Sequence, residues 1–424
     1  MTKTLIYKFG GASVKDALSV KNTAEILRNR LRNNFVIVVS AMGKSTNTLE
    51  LILSQKLESK DYLSTTQALL DFHFEVCRNL LPVDHGIFSI LDKLFIQLKK
   101  ELGKSISKEN YDEYYDRIVG YGELASSRIV MEYLCEVGIP VLWQDARELI
   151  KTDSDFRFAK VDWQQTRKNC QTQLKFKLDK FPVLTQGFIA SNEFRKPTTL
   201  GREGSDFTAA ILATCLDAES VTIWKDVPGV LNADPKIFNN TILFPELDYQ
   251  QAAEMTFYGA SVIHPKTIRP LANASIPLFV KSFQHPNEDG TKIYKLADTS
   301  YFPTIVLKRD QILVSLKMTD FTFIEEGQIH QVYARLNKLK LRVNMLQVSA
   351  ISISIVIDSQ LFKLEQFLEK LKDDFEIRYN DGLELLTIIY PQENVDEFLE
   401  GYEILLEQRT RTTYQIVRRK VSRD

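Results

Sequence analysis

The spacing of apolar residues changes period several times along this chain, and each change marks an element. Leu5-Ile6-Tyr7-Lys8-Phe9 is a short, mostly apolar run that predicts a buried strand. Between residues 16 and 32, Val20, Ala24, Leu27 and Leu31 fall on one stripe and predict an amphipathic helix. Phe35-Val36-Ile37-Val38-Val39 is a continuous β-branched run, the pattern of a strand covered on both faces. Strand, Gly-Gly turn, helix and strand together open a parallel α/β sheet. From residue 48 to about 110, leucines at three- and four-residue intervals predict helices, broken near Pro82 and Gly86 into a pair that layers or lids the sheet. Val141-Leu142-Trp143, Pro182-Val183-Leu184 and Val221-Thr222-Ile223-Trp224 predict further strands.

The texture changes after Tyr301-Phe302-Pro303. Strands are predicted at Ile312 to Met318, Leu341 to Gln347, Ile351 to Ile357 and Phe375 to Tyr379, with helices at Gln328 to Lys338 and Leu361 to Leu371. That order, βαββαβ, is the ferredoxin-like unit. A strand (Leu385 to Tyr390), a helix (Val395 to Glu407) and a strand (Thr413 to Val417) follow, as though a second unit stops early. The expected fold is therefore α/β, a mainly parallel sheet sandwiched by helices over residues 1–303, plus a ferredoxin-like α+β region over 304–424.

Composition narrows the function without naming it. At 424 residues the chain exceeds one ordinary core, so two or three domains are expected. A formal charge of −1 gives no field to attract nucleic acid or a membrane surface. No apolar run is long enough to span a bilayer, and Met1-Thr2-Lys3-Thr4 has no apolar signal region, so a cytoplasmic protein is expected. Cys77, Cys135, Cys170 and Cys215 are scattered, which predicts free thiols in a reducing compartment and argues against a zinc or disulfide framework.

Two stretches carry candidate chemistry. Lys8-Phe9-Gly10-Gly11-Ala12-Ser13-Val14 ends a strand in a cation, two glycines and a hydroxyl. Backbone N–H groups in such a turn form an anion-binding concavity, and Lys8 adds a point charge. A plain strand-to-helix turn with a surface lysine would read the same way. Ser40-Ala41-Met42-Gly43-Lys44-Ser45-Thr46-Asn47 resembles the end of a phosphate-binding P-loop, but the required first glycine would be Val38, inside the strand, so that motif is rejected. The second stretch, Thr198 to Ala210, places Thr199, Gly201, Arg202, Glu203, Gly204, Ser205 and Asp206 before an alanine-rich helix. A helix N-terminus favours anions, and Arg202 has a planar fork suited to carboxylate or phosphate. Asp206 alone could be a cap, and Glu123 alone a solvated or capping acid.

Taken together, these motifs identify a family. The chain resembles aspartokinases of the amino-acid kinase superfamily through Lys8 to Val14, Ser40-Ala41-Met42-Gly43, Gly122-Glu123, Thr199-Leu200-Gly201-Arg202 with Gly204-Ser205-Asp206, Asp226-Val227-Pro228-Gly229 with Ala233-Asp234-Pro235, and His264-Pro265-Lys266-Thr267. The tail resembles the family's ACT-type regulatory region. The resemblance implies an amino-acid kinase fold, ATP with Mg2+, and transfer of the γ-phosphoryl group to the side-chain carboxylate of L-aspartate. The product is 4-phospho-L-aspartate, the first intermediate towards lysine, threonine and methionine. It further implies Lys8 and Asp206 as catalytic residues. Ser40, Thr46, Glu123, Thr199, Arg202 and Ser205 would hold aspartate. Lys8, Gly10, Gly11, Ser13, Lys225, Asp226, Leu231, Lys236 and Lys266 would hold the nucleotide, with no metal bound by the protein itself. A homodimer through the ACT-like region is implied. The acceptor carboxylate is already ionised at neutral pH, so no general base is needed.

The departures from the family pattern are specific. Glu203 stands where a glycine is usual, Lys225 where a threonine is common, and Leu231 where an aromatic often flanks adenine. Asn344 stands where an aspartate often meets an effector amine, and residues 321–326 lengthen the neighbouring loop. The expectation is weak or absent feedback inhibition by lysine. The competing readings are a related kinase acting on another small carboxylate, and a non-catalytic amino-acid-binding regulator.

Overall fold

A computed structural model describes residues 3–30, 34–260, 263–297, 302–320, 322–391 and 398–421. Leu31, the last member of the predicted helical stripe, and residues 392–397, the start of the predicted helix at Val395, lie outside them. No described helix is long and apolar enough to cross a membrane. The chain divides into two compact units. One comprises Met1–Val230, Leu243–Ala253 and Val262–Ala297; the other comprises Leu231–Ile242, Glu254–Ser261 and Asp298–Asp424. The single cut expected at residue 303 is thus replaced by an interleaved division, because two short segments within the first 303 residues make their contacts with the tail.

The strands of the first unit, in chain order, are β1 (Leu5–Phe9), β2 (Phe35–Val39), β3 (Leu142–Gln144), β4 (Lys151–Thr152), β5 (Val183–Gln186), β6 (Ile189–Asn192), β7 (Pro197–Thr199), β8 (Ser220–Lys225), β9 (Glu246–Asp248), β10 (Leu278–Ser282) and β11 (Thr291–Tyr294). Eight form one sheet in the order β3-β5-β2-β1-β8-β10-β11-β9, while β4, β6 and β7 form a small separate sheet. From β3 to β10 every neighbouring pair is parallel; only β10 and β11 run antiparallel. All five residues of β2 are buried, as its unbroken apolar run requires. The leucine-rich region forms three helices, Ser45–Leu57, Leu63–Arg78 and Ile87–Leu102, not two. The additional break falls where Ser59 takes a left-handed φ of 55° and the Asp61 carboxylate accepts from the N–H groups of Leu63 and Ser64.

The second unit is a six-stranded antiparallel sheet. Its strands are β12 (Thr304–Met318), β13 (Val343–Val348), β14 (Ser352–Asp358), β15 (Phe375–Ile389), β16 (Tyr402–Arg409) and β17 (Thr413–Lys420), in the order β13-β14-β12-β15-β17-β16. The first four, with helices Glu326–Lys338 and Leu361–Glu369, have the ferredoxin-like order. The two strands predicted at Phe375 and Leu385 are one: β15 runs through Asn380-Asp381-Gly382, and the β12 register shifts opposite that point. The helix predicted through Glu407 is a strand from Tyr402 onward: Tyr402–Arg409 pairs with β17. Gly401, at φ 81°, turns the chain into that ladder, and the alternating exposure of Glu403, Glu407 and Arg409 follows a period of two. The outer half therefore repeats the inner one, using the second half of β15, then β16 and β17, with the first half of β12 as its remaining strand.

Candidate active site

Parallel sheets place ligands beyond the carboxyl ends of their strands, and the chemistry-bearing residues of the first unit gather there. Lys8 is the penultimate residue of β1, in register with Val38 of β2 and Ile223 of β8. Ser40 follows β2 directly, and Lys225 ends β8. The helix Gly204–Leu216 begins at the same rim, with Asp206 in its first turn. Together they line a cleft of 580 Å³ that also receives Gly11, Thr46, Glu123, Thr199, Arg202 and Ser205.

Glycines permit this assembly. A Cβ on Gly11 would lie 3.0 Å from the Ala41 carbonyl oxygen, and one on Gly187, just after β5, would lie 2.4 Å from the Ser205 Cβ. The Gly43 N–H donates to the Gly11 carbonyl at 3.2 Å, tying the turns after β1 and β2 together.

At the centre Asp206 sits between two ammonium groups. Lys8 Nζ lies 2.6 Å from Oδ1, and Lys225 Nζ lies 3.3 Å from Oδ2. Burial pushes the Asp206 carboxyl up, but attraction to Lys8 and then Lys225 outweighs it and holds the group below its usual range. Asp206 is not the helix cap, because Glu203 occupies that position, at a left-handed φ of 54° and with no side-chain capping bond. The departure at Glu203 thus turns into the cleft, where its Oε2 is buried without a hydrogen-bond partner. Burial raises its carboxyl, against attraction from Lys225.

Glu123 is 3% exposed, and its Oε2 also has no hydrogen-bond partner. Burial raises its carboxyl to about 8, only partly opposed by backbone N–H groups of Glu123 itself and Ala41. A buried acceptor held this way is poised for a cation that the described residues do not supply. Arg202 is exposed at the opening of the cleft.

The sequence reading missed Asp116, which is fully buried and shapes one wall. Its carboxylate accepts from the Thr199 hydroxyl at 2.6 Å and from the N–H groups of Thr199 and Arg157, both at 2.9 Å. Thr199 and Arg157 each face the cleft, so Asp116 acts as their brace. Burial raises Asp116 to about 6, and its hydrogen bonds keep it from going higher. The signal was present in the acid- and tyrosine-rich helix Tyr111–Val119, but sequence alone does not separate a buried aspartate from a solvated one.

The remaining nucleotide candidates are dispersed. Gly10 stands beside Lys8, whose Nζ lies 3.3 Å from where a Gly10 Cβ would be. Ser13 is buried, and its hydroxyl donates to the Trp224 carbonyl at 3.4 Å, which ties the turn after β1 to β8; it does not line the cleft. Asp226 follows β8. Leu231 and Lys236 belong to segment Leu231–Ile242 of the second unit. Lys266 does not line this cleft and faces a different one.

With this geometry in view, the comparisons agree. Residues 3–282 match the model of the Amino acid kinase family. Lysine-sensitive aspartokinase 3 of Escherichia coli is 29% identical over 400 residues, 92% of this chain and 87% of that protein. Chloroplastic aspartokinase 1 of Arabidopsis thaliana is 31% identical over 87% of this chain and 66% of its own length. Among solved structures, E. coli aspartokinase III in complex with aspartate and ADP superposes with a TM-score of 0.84 at 27% identity, covering 98% of this chain and 96% of that one. The same enzyme with lysine and aspartate gives 0.81 at 28% identity, covering 98% and 95%. The chain belongs to the amino acid kinase family.

Proposed function

We propose that this chain is an aspartate kinase, transferring the γ-phosphoryl group of MgATP to the side-chain carboxylate of L-aspartate. The observation that carries the reading is the Lys8–Asp206–Lys225 cluster at the sheet rim, sharing a cleft with Arg202 and with Glu123, whose Oε2 has no hydrogen-bond partner. Two anions must meet, so the site must supply cations and N–H donors along the line of transfer. Lys8 and Lys225 face the transferring group, Asp206 holds both ammoniums in place, and the Gly10 and Gly11 amides cradle phosphate oxygens. Arg202 and Ser205 hold the α-carboxylate of aspartate. The Glu123 carboxylate takes its α-ammonium, while Ser40, Thr46 and Thr199 line the same pocket. No residue has to remove a proton from the acceptor.

Among the described residues no three His, Cys, Asp or Glu side chains gather as a metal cage. Both Asp206 oxygens already face ammonium groups. The residues therefore fit a Mg2+ ion that would be carried in on nucleotide phosphates and water. That ion, when bound, neutralises phosphate charge. Asp226 follows from the rim position for the ribose and base, whereas Leu231 and Lys236 are assigned there by family resemblance alone. For the assembly we propose a homodimer through the second unit, whose edge strand β13 is largely half-exposed or exposed; light scattering that gives a monomer mass would reject it.

The test is an ATP-dependent hydroxamate assay that traps the acyl phosphate. Product with aspartate alone is expected. Product with glutamate or another small acid but not aspartate would favour the sibling kinase, and no product with any acid would favour a regulator. Arg202→Ala should raise the aspartate KM with little change in kcat.

A further inference from the structure

A second cleft, of 770 Å³, opens in the first unit between helices Trp163–Asn169, Gly204–Leu216 and Pro265–Asn273. Its chemistry differs from that of the catalytic cleft. Three aromatic rings face it: Phe158, Trp163 and Phe207. Trp163 and Phe207 meet edge-to-face with centroids 6.4 Å apart. Trp163 is 40% exposed and Phe158 47%, so large rings stand in water around one concavity.

The charge lining it is one-sided. Lys160, Arg167, Lys266 and Arg269 face the cleft against a single acid, Asp217, in a protein whose formal charge is −1. Arg167 is already committed, at 3.3 Å to Asp217 and 2.8 Å to the Thr214 carbonyl. Lys160, Lys266 and Arg269 have no ion-pair partner among the described residues. Scattered surface lysines would need no explanation. Three uncommitted cations around an exposed aromatic platform form a pattern that one kind of ligand satisfies.

That ligand needs a flat face for the rings and a concentrated negative charge for the cations. A carboxylate brings one charge, whereas a phosphomonoester brings nearly two, with three acceptor oxygens. We propose that this cleft binds a ring-bearing phosphomonoester of about the size of a nucleoside monophosphate, which the volume admits. Lys266 belongs to this site. Its Nζ lies 3.6 Å from where a Gly201 Cβ would stand, and Gly201 lines the catalytic cleft. Phe158 lines both clefts, so an occupant of the second bears on a wall of the first. The proposal concerns binding and stands apart from which acid the enzyme phosphorylates.

Tryptophan emission tests it on the full chain. Of three tryptophans, Trp163 faces this cleft and Trp224, next to Lys225, is fully buried beside the other. AMP is titrated into the protein, with adenosine and inorganic phosphate titrated separately. Expected is a saturable AMP response that Trp163→Phe abolishes, with each half-ligand about tenfold weaker or more. In a Lys160→Ala/Arg269→Ala variant the AMP affinity should fall about tenfold, while kcat and both substrate KM values hold. The proposal is overturned by an AMP response that survives Trp163→Phe, by unchanged AMP affinity in the double variant, or by no saturable binding at millimolar AMP.

Discussion

Replacing Glu123 with glutamine would separate two consequences of one buried carboxyl. In the free protein the group is raised from 4.5 to about 8 because burial removes it from water, and the backbone N–H groups of Glu123 and Ala41 offset only part of that. An acid that holds its proton more tightly when folded stabilises the fold fully below its unfolded value and loses that contribution as pH rises through the folded one. Between pH 4.5 and 8, wild-type protein without substrate should therefore lose stability on the order of 5 kcal/mol from this residue. Glu123→Gln cannot titrate. Its amide carries a fixed penalty of about 1–3 kcal/mol wherever it lacks partners, and its stability should lack this slope. The same group governs substrate binding. An arriving α-ammonium requires the carboxylate, so the proton must leave, and apparent aspartate affinity should weaken about tenfold for each pH unit below 8. Urea unfolding of both proteins from pH 5 to 8.5, with and without aspartate, measures both effects. Parallel stability curves, or an aspartate affinity with no pH dependence in wild type, would show that Glu123 is neither neutral when empty nor the ammonium partner.

Three further outcomes follow from the geometry. Lys225→Thr should lower kcat about 10²-fold with the aspartate KM nearly unchanged, because it removes one of two cations facing the phosphoryl group; an unchanged kcat measured by coupled assay would confine Lys225 to a structural role. Gly187→Ala should destabilise the first unit by about 1–3 kcal/mol, read by chemical denaturation, since its Cβ would overlap Ser205 and push on the first turn of the helix that carries Asp206; a silent variant would mean the rim yields easily. Lysine at sub-millimolar concentration should leave activity unchanged. The Asn344 amide already donates to Gln311 and Asp358 at 2.7 and 2.8 Å and accepts from Lys308 at 2.7 Å, so this chain's own lysine meets it. Strong inhibition in a steady-state assay would refute that reading.

The order of elements could be read from sequence wherever apolar period and turn chemistry agreed. The buried run at Phe35 to Val39 and the βαββαβ order of the tail are examples, since each is dictated locally. The expected helix through Glu407 gives way to a strand from Tyr402 because Ile404, Leu405 and Leu406 suit a helix as well as a strand, and only pairing with Thr413–Lys420 decides between them. The Asn-Asp-Gly turn signal at 380–382 was overridden in the same way by the ladder that β15 forms with β12. At the site, the separate motifs around Lys8, Glu123 and Asp206 carried the chemistry, and folding brings them into one cleft. Asp116 escaped notice because its importance lies in burial and in three donors from other segments, none of which leaves a mark near position 116. Ser13 and Lys266 do not line that cleft, and their motifs could not show it: a motif gives adjacency along the chain but not the direction in which a side chain points.

Strands β12 and β15 are each 15 residues long and serve both halves of the second unit. The tail is therefore woven and has no seam at which it could be divided. A premature stop after residue 391 would not leave a smaller working module. It would strip β17 from the outer half of β15 and uncover Leu386 and Ile388, which now pack with Tyr414 and Ile416. Such a product would present an open, greasy flank to other chains and would be cleared or aggregate. Because Phe238, from a segment far upstream, packs in the same cluster, the outer half of the tail is also part of what keeps that segment covered.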